Sequence, residues 1–235
     1  NFNDPSCVIV KHANPCGVAT RDTILAAYLD AYKTDPTSAF GGIIGLNRSM
    51  DVETAQVVAS FREMESSNID AIVTPGVDEE AVAILRKTRR RMVLYSVPEL
   101  QPLPATSMNI KQVPGGLLYQ QANITPIDRT SWKVATKKSP TPEQLKAMEE
   151  AWLLMRHIRS NTILVWDEAN GVTLGIGSGQ VSRVGSAHLA LEQAGERAKG
   201  AILASDSFFP FQDVELSQGL RPRLFPQKQR LTPMI

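Results

Sequence analysis

Histidine and cysteine are scarce in this 235-residue chain, which has three of the one and two of the other. Cys7 and Cys16 cannot make a disulfide framework, so the fold must rest on a packed core, and a reducing, cytoplasmic setting is expected. An excess of charge of one sign is also missing: 25 basic residues against 24 acidic leave a net +1. That balance carries no electrostatic signature of a nucleic-acid partner. No apolar run approaches the roughly 18–20 residues of a membrane span, and no signal-peptide pattern opens the chain. Aromatic residues make up only 6%, with no basic-aromatic platform for single strands. What is present is ordinary for a globular protein: 43% apolar and 21% charged residues. At roughly 100–200 residues per domain, the length suits one large domain or two small lobes.

The charge is unevenly placed. Residues 216–235 hold Arg221, Arg223, Lys228 and Arg230, no acid, and Pro222, Pro226 and Pro233. The remaining residues are net negative. The other end has no initiator Met, and an apolar strand starts within seven residues, so the chain reads as part of something longer.

Strand-loop-helix repetition runs along the body and predicts an α/β sheet with helices on both faces. Residues 7–10, 43–46, 71–74 and 92–96 read as strands, with helices over 20–33, from Asp51 to about Glu63, and from Asp78 to Arg91. Residues 11–17 read as a loop at a strand's carboxyl end. Residues 98–140 have little period and read as an excursion. Thr141-Pro142-Glu143-Gln144 is a strong helix start with a capping box. Residues 162–166 and 172–176 flank an Ala169-Asn170-Gly171 hairpin turn, a helix spans about 182–199, and 201–204 is a strand. The expected division is therefore a first lobe at 1–97, the excursion at 98–140, a second lobe at 141–215 and the basic tail at 216–235.

Few residues carry chemistry on local grounds. Lys11-His12 puts a cation and a base in one loop, or is an incidental solvated pair. Cys16 invites a nucleophile with His12 as base, or a zinc ligand, or is simply a small buried side chain. A deaminase-type zinc site needs a second cysteine three residues on and a glutamate two after the histidine. Ala19 and Asn14 stand there, so no metal is expected. Gly175-Ile176-Gly177-Ser178-Gly179 permits close backbone approach to a phosphate, with Arg183 to pair it, or is a tight turn before a helix. Phe208-Phe209-Pro210-Phe211 either clamps an aromatic ring or packs beneath the other lobe. The run Arg86-Lys87-Thr88-Arg89-Arg90-Arg91 reads as a solvated helix end rather than a nucleic-acid patch.

Together these segments say more. Lys11-His12-Ala13-Asn14-Pro15-Cys16-Gly17, Ser38-Ala39-Phe40-Gly41-Gly42, Asp70 before Ala71-Ile72-Val73-Thr74-Pro75-Gly76, Ser160-Asn161, Gly175 through Arg183, and Ala204 through Phe211 follow one another in a familiar order. The set closely resembles the transformylase domain of the bifunctional purine biosynthesis proteins (aminoimidazole carboxamide ribonucleotide formyltransferase and inosine monophosphate cyclohydrolase), the bacterial form most of all, over about residues 5–213.

The resemblance implies a cytosolic enzyme that moves a formyl group from 10-formyltetrahydrofolate, a cosubstrate, to the 5-amino group of the ribonucleotide. It implies two cytidine-deaminase-like lobes without zinc, no tightly bound cofactor, and a homodimer with active sites near the subunit interface. The conjugated acceptor amine is a poor nucleophile and needs a base, and His12 matches the family histidine in that role. Lys11 matches the lysine that stabilises the formyl oxygen or assists the leaving folate nitrogen. Asn161 matches the asparagine at the transfer site, Asp70 an aspartate near the folate, and Arg183 an arginine at the nucleotide. Asn14, Phe40, Gly41 and Gln180 fall on the binding segments. Phe208, Pro210 and Phe211 are expected to wall the base.

The resemblance fades beyond Asp213, and residues 216–235 match nothing in the family pattern. A reading-frame change near that codon is one expectation, and an incomplete second lobe is its consequence. The family's cyclohydrolase domain and a phosphate-binding arginine are expected upstream of Asn1. Val181 stands where Met is usual and Gly185 where Asp is usual. The alternative reading is a catalytically inactive remnant that binds folate or nucleotide, or dimerises.

Overall fold

The computed structural model describes residues 2–60, 69–98, 100, 103–104 and 106–209. Pro210, Phe211 and the basic tail therefore lie outside the described residues. Ten strands and six helices follow in the order β1 (Ser6–Lys11), β2 (Asn14–Thr20), α1 (Ile24–Thr34), α2 (Pro36–Ala39), β3 (Gly42–Leu46), α3 (Val52–Ser60), β4 (Ile69–Thr74), α4 (Glu79–Thr88), β5 (Val93–Ser96), β6 (Met108–Val113), β7 (Gly116–Gln121), α5 (Pro142–Met155), β8 (Ile163–Asp167), β9 (Val172–Gly177), α6 (Arg183–Ala194) and β10 (Ile202–Ser205). Eight strands form one mixed sheet in the order β10-β8-β9-β2-β1-β3-β4-β5. Among the described strands of this sheet, β3-β4 and β4-β5 are the parallel pairs.

Helix starts obey the capping chemistry in the sequence. The Thr141 hydroxyl accepts from Gln144 N while Gln144 returns a bond to Thr141 N, and Pro142 sits at the first position. Asp51 Oδ1 accepts from Thr54 N at 2.8 Å, and Ser182 Oγ from Gly185 N at 3.0 Å. Each satisfies an amide that the first helical turn leaves without a carbonyl.

Strand alternation assigns the two faces. Ile163 and Val165 join the larger core with α1, α3, α4 and α6, whereas Leu164 and Trp166 point the other way, into a smaller core under α5. Helices thus lie on both faces, as expected, but unequally: α5 covers the β8-β10 end, and Ile43, Val93 and Tyr95 stay exposed towards the other edge.

One local expectation is corrected. Residues 11–17 are not an irregular loop. They are the tip and second strand of a hairpin, because the antiparallel β1-β2 pairing runs to Lys11↔Asn14. Within the excursion, β6 and β7 form a separate two-stranded ribbon across Pro114-Gly115, where Gly115 takes φ 85°. Its pattern is hard to see because nearly every residue of both strands is exposed, so no buried face imposes alternation.

The two expected lobes meet within the one sheet, at the β2-β9 pair, where a single Cα register pair, Ala19↔Val172, is formed. Thr173 reinforces it: its hydroxyl accepts from Val18 N (2.9 Å) and lies 3.2 Å from Val18 O, and Thr34 Oγ1 donates to Thr173 O (2.8 Å).

Candidate functional site

The strand directions bring distant segments to one edge of the sheet. β1, β9 and β10 end there, while β2, β3, β4 and β8 begin there. The edge therefore carries residues 11–14, 40–41, 69–70, 161–162, 178–183 and 206–208. These are the segments singled out by sequence. Phe208 is 56% exposed at this edge and Phe209 packs against the larger core.

The hairpin tip is strained. His12 and Ala13 have φ of 52° and 63°, both in the left-handed region. A two-residue antiparallel connection favours that turn, and Asn-Gly normally fills it. A non-glycine residue held there costs roughly 1–3 kcal/mol, a pattern common at functional sites. The turn leaves His12 exposed, with Lys11 beside it. Lys11 Nζ donates to Phe40 O at 2.6 Å and lies 5.9 Å from the centre of the Phe40 ring. Gly41, at φ 72°, lies close to the Asp70 carboxylate, 4.0 Å from where a side-chain carbon would stand. Lys11, Phe40, Gly41 and Asp70 thus form one contiguous group.

A second group lies across the edge. The Asn161 amide nitrogen donates to Gln180 O (2.9 Å), and its oxygen accepts from Arg183 Nη2 (2.6 Å). Arg183 is buried, and its Nη1 reaches Ser205 Oγ (3.0 Å) and pairs with Asp206. Burial alone would raise the Asp206 carboxyl. Hydrogen bonds from Ser160, Arg183 and the Thr162 backbone outweigh it and hold Asp206 below the usual carboxylate range. Sequence reasoning missed Asp206 as the counter-ion of Arg183; its only signal was an acid between two serines after β10.

A cleft of about 390 Å³ joins the two halves of the sheet. Lys11, His12, Asn14 and Cys16 line it from the hairpin, Asp35 and Ser38 from α2, and Ile176, Ser178 and Gln193 from β9 and α6. Cys16 does not fit an activated nucleophile: burial, and then the nearby Asp35 charge, raise its thiol pKa, and Lys11 only partly opposes them. Among the described residues no group of three His, Cys, Asp or Glu could hold a metal.

In the glycine motif, Gly179 takes φ 66° in the short turn before α6, as the tight-turn reading expects, while Gly175 and Gly177 serve packing. A side-chain carbon at Gly175 would stand 1.9 Å from Ala190 O, and one at Gly177 1.9 Å from Ser186 O. These glycines let α6 press against β9, which sets the position of Ser178, Gln180 and Arg183. The basic run is also mixed, since Arg89 is buried and donates to Val58 O at 3.1 Å.

The described fold and edge define an α/β protein whose chemistry-bearing residues, a Lys-His hairpin tip and an Asn-Arg-Asp network, converge from both ends of one mixed sheet. The sequence model of the AICARFT/IMPCHase bienzyme family matches residues 1–193. The chain belongs to that family. It is 46% identical over 209 residues to the "Bifunctional purine biosynthesis protein PurH" of Cyanothece sp. (strain PCC 7425 / ATCC 29141), covering 89% of this chain and 38% of that protein. It is 42% identical over 213 residues to the protein of that name from Thermoanaerobacter sp. (strain X514), covering 91% and 40%. The protein of that name from Listeria monocytogenes serovar 1/2a (strain ATCC BAA-679 / EGD-e) is 44% identical over 216 residues, covering 91% and 40%. The chain thus spans about two-fifths of the length of these relatives.

Proposed function

We propose that this chain carries the formyl-transfer chemistry of such a bifunctional purine biosynthesis protein. The reaction moves formyl from 10-formyltetrahydrofolate to the 5-amino group of 5-aminoimidazole-4-carboxamide ribonucleotide, on the way to inosine monophosphate. The cyclohydrolase activity is assigned to the part of the relatives outside the matched region. The observation that carries this reading is the Lys11-His12 hairpin tip, strained and open to a cleft, in a chain of this family.

His12, exposed at the tip, takes the proton of the amine as it attacks the formyl carbon. The formyl oxygen gains negative charge, which Lys11 stabilises from its place beside Phe40. Asn161, held at both ends of its amide, orients the reacting groups. Arg183, neutralised by Asp206, turns its remaining donors to the nucleotide. Asp70, Phe40 and Gly41 receive the folate; as the tetrahedral intermediate collapses, the bond between the formyl carbon and N10 breaks and the proton held by His12 passes to N10, assisted by Lys11, so that tetrahydrofolate leaves. Gln180 and Phe208, with Pro210 and Phe211 outside the described residues, complete the nucleotide's surroundings. No tightly bound cofactor or metal enters this scheme.

The reading includes two cytidine-deaminase-like lobes at 1–97 and 141–215, a cytosolic location and a homodimer. Among the described residues no helix is long and apolar enough to cross a membrane. Ile110, Leu117, Leu118 and Tyr119 on the β6-β7 ribbon are 55–66% exposed, an apolar surface that a second copy would cover. Sedimentation should then give a dimer, with Leu118→Asp shifting it towards monomer; a monomeric parent chain rejects this part.

The deciding experiment follows tetrahydrofolate formation by absorbance with the ribonucleotide present and absent. Ribonucleotide-dependent turnover is expected, and His12→Ala should lower it about 10²–10⁴-fold, as loss of a general base does. An undiminished rate removes His12 from the chemistry. A folded chain that binds both reactants without turnover is what the inactive-remnant alternative expects.

A further inference from the structure

Lys11 is held by a neutral acceptor. Its Nζ donates to Phe40 O at 2.6 Å, and it enters no salt bridge among the described residues. A lysine side chain is long and flexible and ends in three donors. A carbonyl takes one of them, fixes the head of the chain and leaves its charge uncancelled, which a carboxylate partner would not do. The position of Phe40 O therefore decides where that charge stands.

The turn that carries Phe40 O is set by a residue outside the proposed chemistry. Phe40 takes φ −59° and ψ 123°, and Gly41 takes φ 72°. These angles match the centre of a type II turn, which differs from type I by a flip of the peptide between its two central residues. The flip decides which way the Phe40 carbonyl points. Just before this turn, α1 ends at Thr34 and α2 begins at Pro36, so Asp35 alone redirects the chain. Its Oδ1 accepts from Ser38 N at 2.9 Å, and its backbone O accepts from Ala39 N at 3.1 Å. Pro36, at the first helical position, has no N–H to satisfy. α2 is four residues long, too short to be stable by itself. Both of these bonds are made to Asp35.

We infer that Asp35 is a positioning residue for Lys11: by capping α2 it fixes the Phe40-Gly41 turn, and that turn holds the Phe40 carbonyl against the Lys11 ammonium. This deepens the formyl-transfer reading and rests on it, since Lys11 there stabilises the formyl oxygen. It adds a residue that acts through Lys11 rather than on either reactant. Asp35 also lines the cleft with Lys11 and His12, so a direct effect of its charge is the rival role. Asparagine separates the two, because it caps as well as aspartate and carries no charge.

The test follows tetrahydrofolate formation by the full chain. Asp35→Ala should lower kcat about 10–100-fold, the scale on which misplaced groups reduce rates. The KM for the ribonucleotide should change less than about twofold. Asp35→Asn should keep kcat within about threefold of the unmodified chain. In a Lys11→Ala chain, Asp35→Ala should reduce kcat no further, because the group it positions is gone. A merely structural role lowers kcat in both backgrounds.

A second measurement depends on neither turnover nor a variant that folds. Trace acetylation of the unmodified chain, read by mass spectrometry, should modify Lys11 about fivefold more slowly than the exposed Lys137, as one held hydrogen bond would give. Asp35→Ala should bring the two rates together, and Asp35→Asn should not. Lys11 acetylated as fast as Lys137, an Asp35→Ala chain as active as the unmodified one, or an Asp35→Asn chain as impaired as Asp35→Ala overturns the positioning role. Protected Lys11 in a folded chain that shows no turnover overturns the formyl-transfer reading instead.

Discussion

At the scale of the residue, strain is concentrated where the proposed chemistry lies. Ala13 pays a left-handed backbone penalty that glycine would not, at φ 63°. Ala13→Gly should therefore stabilise the chain by about 1 kcal/mol in urea unfolding, while loosening the tip that aims His12. An unchanged or lower midpoint would mean that the turn is relaxed. The sequence put Lys11 and His12 side by side, but not the turn that presents them. Two non-glycine residues at a position suited to Asn-Gly give no hairpin signal, because local propensity opposes the conformation that the β1-β2 pairing imposes. Cys16 illustrates the converse. Its residue type suggested a nucleophile, and only burial and the neighbouring Asp35 charge, both tertiary facts, decide against that.

At the scale of the element, the start of β8, the start of α6 and the end of β10 are tied by the Asn161-Arg183-Asp206 network. Asp206 has a depressed pKa in the fold, so its contribution is present above its unfolded value, about 3.9. That contribution is lost as pH falls through the lower folded value. Asp206→Asn should cost about 1.5–3 kcal/mol near neutral pH, as for a hydrogen bond to a charged group. The gap between variant and unmodified chain, read from unfolding midpoints, should close in acid below the usual carboxylate range. A gap that stays constant with pH would remove the carboxylate from the network's energetics. Helix beginnings were legible here because capping is local chemistry: Thr141, Asp51 and Ser182 accept bonds from amides three residues on. The role of Gly175 and Gly177 was not legible, since the backbone they make room for belongs to α6, residues away in sequence and in direct contact in space.

At the scale of the whole molecule, the seam between β2 and β9 decides whether the cleft exists. One register pair is little, and Thr173 adds hydrogen bonds to Val18 and Thr34 in a buried setting. Thr173→Val keeps the shape and leaves Val18 N–H without its acceptor. It should destabilise by roughly 1–3 kcal/mol and speed hydrogen exchange at Val18 before the rest of the sheet. Exchange that rises uniformly, or not at all, would show that the seam is no weaker than its neighbours. The cleft depends on this seam because Lys11, His12 and Asn14 reach it from one side and Ser178 and Gln193 from the other.

The sequence by itself determined most strands and helices of the large sheet, the caps at Asp51 and Thr141, and the family, because hydrophobic period, capping residues and an ordered set of motifs are all written along the chain. Only the tertiary structure decided that eight strands share one mixed sheet, that six separated segments meet at one edge, and that Arg183 is neutralised by Asp206. It alone decided that the hairpin tip holds His12 and Ala13 in left-handed backbone beside a cleft. The physical reason is the same throughout: pairing register, close backbone approach and burial depend on residues far apart in the chain, and no local pattern encodes them.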